Sequence, residues 1–144
     1  VKKLFVLSLL LGFAACTSNQ ETNNSDSTEV TMSLLDQVNS LLDSDQYVEA
    51  LALLDEQQNT EETLLLKEKT HLNYGLYLEY RDSNVTNMRD KMNGALRQYV
   101  EVLRINPDNE KAITEIEQIL GIYSTFPDRS PDPDIMEDLE ELGF

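Results

Sequence analysis

The amino-acid sequence predicts an all-α fold of five to six helices packed as antiparallel pairs. Three observations carry that prediction. After residue 31, apolar residues recur at three- and four-residue intervals, the period of one helix face, while alternating β-branched runs are scarce. Only five glycines and four prolines interrupt 144 residues, too few for a turn-rich β fold. Short polar residues able to cap a helix stand at the borders of the periodic stretches.

The elements follow in order. Leu34, Leu35, Val38, Leu41 and Leu42 form the stripe of a first helix, capped by Thr31 or Ser33 and broken at Asp43-Ser44-Asp45. A second helix carries Tyr47, Ala50, Leu51 and Leu54 on one face and ends at Gln57-Gln58-Asn59. Thr60 caps a third, whose first turn holds Glu61 and Glu62 at the positive end of the helix dipole. It runs through Leu65, Leu72, Leu76 and Leu78 toward Arg81, and a loop follows from Asp82 to Asn87. The fourth helix points Met88, Met92, Ala95, Tyr99, Val102 and Leu103 inward. Asn106-Pro107-Asp108-Asn109 stops it, because proline cannot continue a helix and Asp108 can cap the next. The fifth buries Ala112, Ile113, Ile116, Ile119, Leu120 and Tyr123. After the proline-rich stretch 126–133, Asp134 and Glu137 form a capping-box-like pair that opens a short sixth helix, 134–142, with Ile135, Met136, Leu139 and Leu142.

The residues before this region differ in kind. Lys2 and Lys3 precede an apolar run from Leu4 to Ala15, too short to span about 30 Å of hydrocarbon and followed by an entirely polar stretch. That layout is the layout of a secretory signal peptide. Phe13-Ala14-Ala15-Cys16 resembles a lipobox, in which small residues precede a cysteine that accepts lipid and becomes the mature N-terminus. The resemblance implies a signal peptide over 1–15, a lipid-attachment site at Cys16 and a bacterial lipoprotein held at the cell envelope. Thr17, not Asp, follows the cysteine, which resembles an outer-membrane destination. Residues 17–30 are polar up to Val30 and without periodicity, so the segment 16–30 reads as a lipidated cysteine and a disordered tether. Such a coil would hold the remaining domain, 31–144, about 20 Å from the membrane on average.

Cys16 is the single cysteine, so the chain can form no internal disulfide and must be held by its core. The formal charge of the whole chain is −16; with Lys2 and Lys3 removed, nine basic residues face 27 acidic ones, giving −18. This balance excludes nucleic acid as a partner through phosphate contacts, since like charges repel. It leaves a solvated surface, a basic partner, or an acidic surface protein that responds to calcium.

The pattern Ala95-x3-Tyr99-x2-Val102-x4-Pro107 closely resembles the second half of a tetratricopeptide repeat, and Tyr74-Gly75-x2-Leu78 matches the first half. In that family a small residue and a glycine let two helices approach, an aromatic fills the groove, and proline ends the second helix. The best-matched repeat core is 68–109, with weaker copies before and after it and 134–142 as a capping helix. The resemblance implies a short α-solenoid of stacked helix pairs that binds a peptide or helix of an envelope protein. It places Asn73, Leu76, Tyr77, Tyr80, Lys111, Thr114 and Gln118 on or near the binding groove.

The residue types favour no reaction. His71 is the one histidine, no nucleophile stands with a base, and no glycine-rich phosphate loop is present. Asp128-x-Ser130-x-Asp132-x-Asp134 alternates oxygen ligands like a calcium loop, but Pro133 replaces the turn glycine and Leu139 the closing Glu. The expectation is a binding protein with no cofactor and no metal site.

Overall fold

Four of the six helices among the described residues begin where a short side chain stands in for a missing backbone partner. In the computed structural model, which describes residues 32–144, Ser33 caps α1 (Leu34–Asp43), its Oγ accepting the Asp36 amide at 3.1 Å. Asp45 turns the chain with a left-handed backbone, φ 56°, and α2 (Tyr47–Asp55) follows. Thr60 caps α3 (Glu61–Leu76) as its sequence predicts, in a reciprocal box with Thr63. Asn87 caps α4 (Met88–Ile105). Asn109, rather than Asp108, caps α5 (Glu110–Ser124). Pro133 opens α6 (Pro133–Leu142), which Gly143 ends at φ 93°. Asp134 and Glu137 make no capping box. The helix starts two residues earlier than they would need, with Asp132 at the N-cap position, and Asp134 is bound by Arg97.

The fold is all-α, with six helices and no strand among the described residues. Neighbours in sequence pack on one another from α1 through α5; α1 also meets α3, and α6 returns to α4. Two cores result. Val38, Leu42, Tyr47, Ala50, Leu54 and Leu66 join α1, α2 and the first half of α3. A larger core of thirteen buried residues, from Met92 to Leu139, joins α4, α5 and α6, with Leu72, Leu76 and Leu78 packed against it.

α3 and α4 pack tightly where Gly75 meets Tyr99. A Cβ built at Gly75 would overlap the Tyr99 ring, with Cδ1 at 2.8 Å, so glycine is what lets this fully buried tyrosine sit against the α3 backbone. Burying a side chain of this size contributes about 2 kcal/mol. His71, half-buried on α3, also ties the pair together, with Nδ1 2.9 Å from Gln98 Oε1.

Three residues expected on inward faces are exposed, Leu35 of α1 among them at 44%. The buried stripe of α3 runs through Thr63, Leu66 and Thr70, which turns Leu65 outward at 58% exposure. Met88 lies in the first turn of α4, one turn outside the packed stripe that begins at Met92, and is 62% exposed. Among the described residues, no helix is long and apolar enough to cross a membrane. Cys16, the rest of the lipobox and the stretch 17–30 lie outside the described residues.

Candidate functional site

The end of α3 does not continue as an α-helix. From Tyr77 to Arg81 it loosens into a π-helical turn, closed by the Asp82 amide donating to the Tyr77 carbonyl at 2.8 Å. The wider turn changes the angle between successive side chains, and five neighbours reach three different places. Tyr77 and Arg81 turn toward α2, Leu78 packs on the larger core, and Glu79 and Tyr80 turn toward α4 and α5.

On the α1 and α2 side the result is a polar cavity of about 600 Å³, lined by Asn39, Leu42 and Asp43 of α1, Asp45 and Tyr47, and Lys69, Asn73 and Arg81. Lys69 Nζ donates to Asn39 Oδ1 at 2.8 Å, and Asn73 Nδ2 donates to the Lys69 carbonyl at 2.8 Å. Arg81 donates to Asp45 at 2.7 Å and to the Tyr47 hydroxyl at 2.6 Å, and stands 5.2 Å above the Tyr77 ring. Tyr47 itself stacks on Tyr74, rings 5.2 Å apart and nearly parallel, with Tyr77 tilted against it at 5.3 Å. Burial, then the hydrogen bond to Asp45, pushes the Tyr47 hydroxyl up to about 12, so it remains a donor at any physiological pH.

On the α5 side two carboxylates are enclosed. Glu115 is 2% exposed, accepts from Tyr80 at 2.7 Å and pairs with Lys111. Glu79 accepts from Tyr99 at 2.9 Å and from Gln118 at 3.3 Å, and Gln118 also donates to the Tyr80 hydroxyl at 2.8 Å. Burial raises the Glu79 carboxyl above its ordinary value, against the hydrogen bonds that lower it. The members of this network bond to one another and tie α3 to α4 and α5.

The predicted groove residues therefore divide. Tyr80, Lys111 and Gln118 come together around Glu115. Asn73 lines the cavity beside α1, and Tyr77 lies outside its lining, tilted against Tyr47 and under Arg81. Leu76 packs against the larger core. Thr114 is exposed and donates to the Glu110 carbonyl of its own helix at 2.8 Å. Asn39, Lys69 and Arg81 line the same cavity and are not among the residues the sequence predicts there. Lys69 stands one helical turn before Asn73, a spacing that puts both on one face. Glu115 was also legible, since it falls three residues after Ala112 and four before Ile119 on the buried stripe of α5.

Two carboxylates of the calcium-loop-like stretch, Asp132 and Asp134, are engaged by arginines. Asp132 binds Arg89 at 3.0 Å and Arg97 at 3.3 Å, and Asp134 binds Arg97, which lowers its carboxyl below the usual range. Among the described residues no three His, Cys, Asp or Glu side chains converge as a metal site. In comparison with known proteins, no family model, curated protein or solved structure matches this chain.

Proposed function

We propose that this chain is a non-catalytic bacterial lipoprotein, anchored through lipid on Cys16, whose helical domain binds a peptide or helix of another envelope protein. The domain is read as a tetratricopeptide-like stack of antiparallel helix pairs, with α1, α3 and α5 lining the groove. The observation that carries the reading is the 600 Å³ polar cavity, in which Asn39, Lys69, Asn73 and Arg81 present hydrogen-bonding groups. Lys69 has three ammonium donors and uses one on Asn39, which leaves two for a ligand. The fit of Gly75 against Tyr99 supports the repeat reading, since it is the close approach that the resemblance assigns to those two residues.

Two experiments test the two halves of this proposal. Metabolic labelling with a fatty-acid analogue should mark the wild-type chain in membrane fractions and not Cys16→Ala; an unlabelled wild type removes the lipoprotein reading. Affinity capture from cross-linked envelopes should enrich one partner, and Lys69→Ala with Asn73→Ala should lose it while keeping the wild-type melting temperature. Equal recovery by that double variant removes the groove.

A further inference from the structure

Two apolar patches lie at opposite ends of α4, and neither belongs to the groove. At the C-terminal end, Leu35, Leu64 and Leu65 are exposed beside Ile105 and Pro107, with Glu61 and Glu62 along the border. At the N-terminal end, Met88, Ile122 and Phe126 are exposed beside Met92, with Arg89 and Arg129 along the border. Eighteen residues of α4 separate them, about 25 Å of helix. Arg129 lies 5.3 Å over the Phe126 ring rather than against a carboxylate. Lys69 stands at the margin of the first patch and Asp128 near the second, where Arg89 is already paired with Asp132 at 3.0 Å, so Glu61 and Glu62 on one rim face chiefly Arg129 on the other.

We propose that these patches dock on each other between copies of this chain, so that the protein associates head to tail. The occupant is fixed by complementarity. The acid-rimmed patch needs an apolar surface bordered by cations, and in a chain with 27 acidic and 11 basic residues such borders are scarce. The Met88, Ile122 and Phe126 patch is one, and every copy carries it. Aromatic, methionine and arginine side chains are also the types enriched at the centres of protein interfaces. The net negative charge of two copies opposes their approach, but at physiological salt that repulsion is screened beyond about 8 Å. Because the contact joins two different patches, each pair keeps one free patch of each kind and can extend. Three large apolar side chains per patch make a smaller contact than the roughly 800 Å² per partner of a stable complex. The association is therefore weak in dilute solution, and covalent trapping is the suitable probe.

The test uses the full chain in cells, as two differently tagged copies carrying Leu65→Cys and Phe126→Cys respectively, treated with a short bismaleimide. Both residues are substantially exposed, 58% and 46%, so the substitutions leave the cores intact. The expected result is a cross-linked pair containing both tags, several-fold above a Leu65→Cys and Val48→Cys control pair. Each variant expressed alone should give no more product than the unsubstituted chain, and the double variant in one chain should give a ladder. Reversing Glu61 and Glu62 to Lys on the Leu65→Cys copy should reduce the mixed product several-fold, and Arg129→Glu on the other copy should restore it. Mixed product no greater than the control overturns the proposal, as does equal cross-linking of either variant with itself. Neither result bears on the groove, which the capture experiment tests separately.

Discussion

The two cores of this domain are built differently. The C-terminal one buries thirteen residues from three helices, with Tyr99, Leu96, Ile116, Ile119, Ile135 and Leu139 fully enclosed. The N-terminal one buries six, and relies on the Tyr47, Tyr74 and Tyr77 stack and on Arg81 to hold α2 against the end of α3. α3 belongs to both. The domain is therefore adaptable on one side: the polar cavity lies beside α1 and α2, the side with the smaller core, which is the side expected to open at lower free energy.

The largest effect expected breaks the comparison by striking the element the two cores share. Gly75→Ala sets a methyl group into the Tyr99 ring, and neither the α3 backbone nor a fully buried ring can yield without parting α3 from α4. We expect a loss of about 3 kcal/mol in global stability, measured by denaturant unfolding. Shrinking the ring in the same chain, Gly75→Ala with Tyr99→Leu, should cost less than the two single changes added together.

Leu54→Ala sharpens the comparison instead. Leu54 is fully buried in the smaller core, and its truncation should cost about 2 kcal/mol. The loss should fall locally: hydrogen exchange should quicken through α1 and α2 while α4 and α5 keep their protection. Uniform acceleration across all helices would mean that the domain opens as one unit. Tyr47→Phe is smaller again. It keeps the stack and removes the hydroxyl shared by Asp45 and Arg81, for about 1 kcal/mol, and should leave α4 exchange unchanged.

Much of this architecture was legible because it follows from local chemistry. The helical stripes, the Thr60 cap and the fit of Gly75 against Tyr99 depend on residue types at fixed spacing. The α5 cap shows one limit: Asp108 and Asn109 are both good caps, and nothing in the residue types decides between them. Leu65 shows another, since an apolar residue beside a stripe is indistinguishable from one on it until the neighbouring helices are placed. The π-helical turn was not legible at all. Tyr77-Leu78-Glu79-Tyr80-Arg81 contains no glycine or proline, and its widening goes with tertiary contacts, Tyr77 to Tyr47 on one side and Tyr80 to Glu115 on the other. That turn divided the predicted groove residues, which is why the sequence gathered them on one surface and the fold distributes them over two.

The smallest effect expected asks whether the network on the α5 side is a passive tie. Burial raises the Glu79 carboxyl above its unfolded value, so the folded chain holds that proton more tightly than the unfolded chain does. Its contribution to stability is complete below the unfolded value and is lost as pH rises through the folded one. Glu79→Gln removes the ionisation. It keeps an oxygen to accept from Tyr99 and gives up only the long 3.3 Å bond from Gln118, whose amide stays on the Tyr80 hydroxyl. Below about pH 4 the two chains should melt together, because Glu79 is then neutral in both states. At neutral pH the variant should melt slightly higher, with α1 and α2 exchange unaltered. A variant that melts lower at neutral pH would show that charge-assisted hydrogen bonds outweigh burial at Glu79, and that the ionised carboxylate itself holds α3 to α4 and α5.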